Sequence, residues 1–146
     1  FMDEAHLRQV LPDYDIVIDA TDQLENKFLI NDVCVSVEKP FVHGGITGFS
    51  GQVMTYVPEK GPCYRCIFGE VPEDNAPAPI PVIGVTAGII GTIQAAEAIR
   101  YLLGIPSLLT GKLLVLDGLR MQFRTVPFPH VSEHCPLHTR KGVTDL

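Results

Sequence analysis

No G-x-G-x-x-G motif occurs in this chain, so the backbone cradle that such a turn offers phosphates at a helix N-terminus is missing. Gly44-Gly45-x-x-Gly48 has the wrong order and reads as a turn, while Gly88-Ile89-Ile90-Gly91 reads as close helix packing. Basic residues are scarce: 11 Lys and Arg face 17 Asp and Glu, for a net charge of −6 and a pI near 5.2. That balance argues against a nucleic-acid surface, which needs clustered cations. No apolar run approaches the ~20 residues that span a bilayer, which argues against a membrane helix. No signal-peptide pattern opens the chain, which favours a cytoplasmic setting over an exported disulfide protein. Phe1-Met2-Asp3-Glu4 reads as the start of a segment cut from something longer.

What is present is ordinary globular composition, 46% hydrophobic and 19% charged over 146 residues, enough for one domain with a sizeable core. Alternating strands and helices are expected. Tyr14–Asp19 carries an Ile-Val-Ile run suited to a buried parallel strand, and Leu24–Val37 repeats apolar residues at helical spacing. Phe41–His43 begins another strand. A glycine-rich connection over 44–51 follows it, then a strand over Gln52–Val57. Ile89–Leu103 reads as a helix ended by Gly104. Lys112–Asp117 and Met121–Val126 make a hairpin. Pro72, Pro77, Pro79 and Pro81 mark an extended, mobile loop.

Only four cysteines occur, and three lie in two spaced motifs, Cys63-Tyr64-Arg65-Cys66 and Cys135-Pro136-Leu137-His138. Each motif puts two soft ligands three positions apart on a tight turn, so together they suit tetrahedral zinc. The Gly61-Pro62 ahead of the first pair suggests a loop knuckle rather than a redox pair opening a helix. His138 has the right spacing for the fourth ligand, with His134 or water as alternatives. The fourth cysteine, Cys34, reads as a small core hydrophobe. His43 reads as a hydrogen-bonded structural histidine and Asp117 as a turn residue.

The strings Asp15-Ile16-Val17-Ile18-Asp19-Ala20-Thr21-Asp22, Asn31-Asp32, Gly51-Gln52-Val53 and Pro62-Cys63-Tyr64-Arg65-Cys66 resemble the HesA/MoeB/ThiF family in residues and in order. Gly88 to Ile99 extends the likeness, which covers roughly residues 14 to 138. The resemblance is to the C-terminal half alone. It implies an α/β fold, the second half of a doubly wound (Rossmann-like) sheet with a C-terminal antiparallel hairpin and a zinc knuckle.

The same resemblance implies an enzyme that uses ATP and magnesium to adenylate the C-terminal Gly-Gly of a ubiquitin-like sulfur-carrier protein, typically as a homodimer. It places Asp22 at the magnesium and the reacting phosphate, where a bland reading is a helix N-cap. Gln23 and Asn26 would lie beside the nucleotide, and Lys27, expected to be catalytic together with Asp22, stands where the family commonly has arginine, keeping the charge but not the planar fork. Cys63, Cys66, Cys135 and His138 would hold zinc. Ile67 to Gly88 contains no cysteine, so a covalent thiol intermediate of the ThiF type is not expected, and the chemistry is adenylation alone. Gln52–Val57 and the final hairpin are the expected carrier-docking face.

Two rivals remain. One is a non-enzymatic, zinc-stabilised module that binds a ubiquitin-like partner, favoured by the missing phosphate cradle. The other is the related branch that adenylates a modified tRNA base; it would not require the knuckle, and the acidic charge disfavours it.

Overall fold

The computed structural model describes residues 3–71 and 81–138. The proline-rich segment expected to be mobile falls mostly outside the described residues. Helix α1 (Glu4–Val10) is capped by the Asp3 side chain, which accepts from the Ala5 amide, and runs through a 3-10 turn (Leu11–Asp13) towards β1 (Val17–Asp19). Then come α2 (Leu24–Ser36), β2 (Phe41–Thr47), β3 (Ser50–Tyr56), the short α3 (Tyr64–Phe68), α4 (Gly84–Leu102), β4 (Lys112–Asp117) and β5 (Gln122–Pro127).

Five strands form one mixed sheet in the order β1-β2-β3-β4-β5. β1 and β2 are parallel, with Val17 opposite Phe41 and Asp19 opposite His43; α2 makes the crossover between them. The remaining pairs are antiparallel. One parallel pair followed by an antiparallel meander is the architecture, so the doubly wound half-sheet expected from the resemblance reduces to this single βαβ unit.

Side chains alternate across β2 and β3. Phe41, Met54 and Tyr56 point to the face covered by α2 and α3, where Phe28, Val33, Cys34 and Tyr64 complete the core. Cys34 is fully buried, as a core cysteine should be, and burial pushes its thiol up to about 12. Val42 and Val53 point to the opposite face, where they pack with Ile90 and Ala98 of α4 and Leu116 of β4.

Three sequence expectations change here. Gly44, Gly45 and Gly51 lie inside two paired strands rather than a connection, and the turn is confined to Gly48-Phe49. The reason is the close seating of α4: a methyl group at Gly44 would overlap the Gln94 carboxamide, and one at Gly51 would overlap Ile90. α4 itself begins five residues before the apolar periodicity does, because Thr86 packs inward while Val85 faces solvent. β1 is shorter than the Tyr14–Asp19 run because its pairing with β2 covers only Val17–Asp19. α4 ends at Gly104 as expected, where a positive φ of 67° lets the Gly104 and Ile105 amides bond back to Tyr101 and Arg100.

Gln52–Val57 lies between β2 and β4, with Val53 to Val57 all buried. It therefore offers no docking face. Residues 122–125 of β5, by contrast, are exposed. No helix among the described residues is long and apolar enough to cross a membrane.

Candidate functional site: a metal centre and a charged strand end

The two cysteine motifs meet. Sγ of Cys63 lies 3.7 Å from Sγ of Cys66 and 3.7 Å from Sγ of Cys135. Together with a ring nitrogen of His138, all four ligand atoms lie within 4.8 Å of one another. A tetrahedral ion with bonds of about 2.3 Å to sulfur has sulfurs about 3.8 Å apart, so the thiols already stand at coordination spacing. The His138 Nε2 atom is buried with no hydrogen-bond partner. An orphaned imidazole nitrogen beside three thiols is costly without an electrophile to face, so the residues fit a metal ion. His134, the alternative ligand, is exposed and outside the cluster.

Local geometry explains the meeting. The Cys66 amide bonds the Cys63 carbonyl at 3.1 Å, and the His138 amide bonds the Cys135 carbonyl at 3.1 Å, so each motif closes the same tight turn. The first turn is not the loop knuckle the sequence suggested: Cys63 stands at the N-cap of α3 and Cys66 lies within that helix. The hydrogen bond with Cys63 pulls the Cys66 thiol down to about 5, and the same bond pushes Cys63 up. The backbone amide of Ser132 also favours the Cys66 thiolate, whereas burial pushes the Cys135 thiol up against the opposing bond from the Leu137 amide. Thiolates are the form that binds metal.

The second constellation lies at the C-terminal end of β1. Asp22 is exposed, just past the strand and just before α2. Gln23 is the N-cap residue of α2 with no side-chain capping bond, and its Oε1 accepts from Asn26 Nδ2 at 3.3 Å. The helix-cap reading of Asp22 therefore does not hold, since the neighbouring Gln23 occupies that position.

Lys27 is placed differently from an exposed phosphate-gripping cation. It is 8% exposed, and its Nζ donates to the Gly44 carbonyl at 2.7 Å and to the Asp19 carboxylate at 3.2 Å and 3.4 Å. Burial pushes its ammonium down, against the attraction of Asp19 and, more weakly, Asp22.

Asp19 is the junction beneath Asp22, and sequence reading did not single it out. Its carboxylate accepts from the Thr21 amide at 3.0 Å, the Thr21 hydroxyl at 2.7 Å, Lys27, and His43 Nδ1 at 2.8 Å. Burial alone would raise its pKa, but the His43 bond and the Lys27 charge outweigh that and hold it at about 2. Burial pushes His43 below its ordinary value, so its ring is neutral, with Nδ1–H donated to Asp19 and Nε2 turned towards Gln52 at 3.4 Å. This is the structural histidine the sequence suggested. Asp117, likewise, accepts from the Arg120 amide in the hairpin turn. The cue for Asp19 was available: a carboxylate inside a buried strand needs partners, and Lys27 and His43 were the candidates.

Comparison with known proteins places this geometry. A model of the ThiF family matches residues 1–137. The chain is 40% identical over 151 residues to the SAMP-activating enzyme E1 of Haloferax volcanii, covering 99% of this chain and 54% of that protein. It is also 40% identical over 120 residues to the adenylyltransferase and sulfurtransferase MOCS3 of Culex quinquefasciatus, covering 80% of this chain and 27% of that protein. The chain thus spans about half the length of the first relative and about a quarter of the second. Among solved structures, E. coli MccB with MccA-N7isoASN superposes with a TM-score of 0.78 at 18% identity, covering 94% of this chain and 44% of that one, a likeness of fold. A family match over residues 1–137, which takes in all three clustered cysteines, together with 40% identity to two such enzymes, makes this chain a member of the ThiF family.

Proposed function

We propose that the chain is the C-terminal part of an ATP-dependent adenylyltransferase acting on the C-terminal Gly-Gly of a ubiquitin-like sulfur carrier, of the molybdopterin or thiamine type. The observation that carries this reading is Asp22, an exposed carboxylate at the C-terminal end of a parallel strand and at the mouth of α2. That is the usual ligand edge of an α/β sheet. In the reaction, a carrier carboxylate oxygen attacks the α-phosphorus of ATP; that P–O bond forms as the bond to pyrophosphate breaks, giving an acyl-adenylate.

Asp22 is the catalytic residue of this half, a hard oxygen donor suited to holding magnesium, which when bound neutralises phosphate charge. Gln23 and Asn26 flank it as polar contacts for the nucleotide. Lys27 is a positioning residue, a buried charge beneath Asp22 rather than a group that touches phosphate. Zinc, held by Cys63, Cys66, Cys135 and His138, is structural: it fastens the chain beyond β5 to the start of α3, and no step passes through it. The exposed β4–β5 hairpin, with Leu119, Met121 and Phe123 facing solvent, is the surface offered to the carrier. The setting we infer is the cytoplasm, with two copies associating.

Because no phosphate cradle is present, the 146-residue chain alone is expected neither to bind ATP tightly nor to adenylate a carrier. The absent G-x-G-x-x-G also favours a second reading, a non-enzymatic module that docks a ubiquitin-like partner. Exchange of labelled pyrophosphate into ATP separates the two. Where the native reading frame extends upstream, the longer protein supplied with a Gly-Gly-ended carrier should exchange label, and Asp22→Ala should cut exchange at least a hundredfold while metal content stays intact. Carrier binding without exchange by that protein supports the docking module, and exchange by the 146-residue chain alone overturns its standing as an incomplete catalytic unit.

A further inference from the structure

The residues between the first two cysteines are held by one face of α2. Asn31 is fully buried, and its Oδ1 accepts the Tyr64 amide at 2.8 Å. That amide opens α3, where no helical carbonyl is available to receive it. Asn31 Nδ2 donates to Asp32 Oδ1 at 3.0 Å, and the Asp32 carboxylate receives Arg65 through Nε at 2.6 Å and a terminal nitrogen at 2.7 Å. The Arg65 guanidinium also lies 4.8 Å from the ring centroid of Phe28. Phe28, Asn31 and Asp32 are spaced i, i+3 and i+4, so a single helix face takes both middle residues of the Cys-Tyr-Arg-Cys turn.

We propose that Asn31 and Asp32 form the outer shell of the Cys3His centre, set how tightly it holds its metal, and couple metal occupancy to the helix whose first turn follows Asp22. The proposal rests on the reading of the cluster as a metal centre, and is independent of the adenylation chemistry. Its physical basis is preorganisation. The Asn31 bond fixes the backbone between Cys63 and Cys66, and the two-pronged Arg65–Asp32 pair fixes that turn's rotation against α2. Half of the ligand set therefore stands at coordination spacing before the Cys135–His138 half arrives. Outer-shell partners of this kind typically change metal affinity by about 10–100-fold when removed. The coupling follows because Lys27, bound to Asp19, lies one turn before Asn31 on the same rigid helix.

The test uses the 146-residue chain, zinc with a competing chelator, and cobalt(II) as a spectroscopic substitute. Asn31→Ala should weaken zinc binding about 10–100-fold, speed its release, and shift the visible cobalt bands. Asp32→Asn, which keeps one acceptor for Arg65, should fall between parent and Asn31→Ala. Val33→Ala is the control: it loosens the same buried helix but offers the knuckle no hydrogen bond. It should leave the cobalt bands in place. Hydrogen exchange over residues 24–27 should slow on metal loading in the parent and lose that response in Asn31→Ala. Equal losses of affinity in Val33→Ala and Asn31→Ala, or unchanged affinity in Asn31→Ala, overturn the outer-shell role. A parent chain that takes up neither metal overturns the centre itself.

Discussion

Replacing Gly44 by alanine tests how α4 is seated over the charged end of β1. The new methyl group would overlap the carboxamide of Gln94. That side chain is 4% exposed, and its Nε2 bonds the carbonyls of Asp19 at 2.7 Å and Val42 at 3.2 Å. Two responses are open. Gln94 can swing away, leaving two buried carbonyls short of a donor at roughly 1–3 kcal/mol each. Alternatively α4 can lift from the sheet, an overpacking cost of about 1–3 kcal/mol. Either route predicts a loss near ~3 kcal/mol, which for a chain of this size lowers the melting temperature by about 6–12 °C.

Urea unfolding of the metal-loaded chain measures it as a lower midpoint at unchanged slope. A double-mutant cycle sharpens the test. On a Gln94→Ala background the methyl has room, so Gly44→Ala should cost less than about 1 kcal/mol, a coupling near ~2 kcal/mol. A cost within about 0.5 kcal/mol on the parent background, or an equal cost on both, refutes the argument that this glycine exists to admit Gln94.

The purified chain should hold one zinc, and Cys63→Ser with Cys66→Ser should abolish binding and lower thermal stability substantially, because the ion joins segments distant in sequence; elemental analysis of a reduced preparation that finds no metal rejects the centre. His43, pushed below its ordinary value by burial, should remain neutral with its proton on Nδ1 at pH 6.5, and a protonation midpoint at or above 6.5 by NMR would contradict burial as the dominant influence on the ring. The sign follows: the unfolded chain takes up this proton first, so the His43 contribution is complete above about pH 6.5 and drains away as pH falls below it. Asp19, held at about 2 against an ordinary 3.8, adds about 2 kcal/mol that is present above pH ~4 and lost towards pH 2; urea unfolding of Asp19→Asn against the parent should show the gap closing over that window. Val85, Ile99 and Leu102 of α4 and its C-cap Leu103 leave apolar surface exposed, and β1 has no neighbour on its outer edge among the described residues. At micromolar concentration sedimentation should therefore give at least a dimer, and a clean 16.0 kDa monomer would contradict this.

Where the decisive signal was local, sequence reading reached the structure. The Leu24–Ser36 helix, the Lys112–Asp117 strand with its hairpin partner, the stop at Gly104 and the two spaced cysteine motifs were all legible, because periodicity, turn chemistry and ligand spacing are written in neighbouring residues. For the fourth ligand, spacing favoured His138 and left His134 or water as alternatives. Only the folded chain separates the two histidines, since it places the buried Nε2 of His138 beside three thiols and leaves His134 in solvent.

What depended on contacts between distant segments was not legible. Gly44 and Gly51 look like parts of a connection until α4, more than thirty residues later, is laid across them; then the lack of a side chain becomes a packing requirement. Lys27 looks like a free cation on a helix until Asp19 and the Gly44 carbonyl arrive from two strands to bury it. Asn31 gave no sign of its role, because its partner is a backbone amide 33 residues away, and a backbone donor carries no mark in the sequence. The sequence by itself determined which elements form and which residues are able to bind metal. Tertiary structure alone decided which polar groups lose water on folding, and so which charges are held beneath the site and which remain exposed to act.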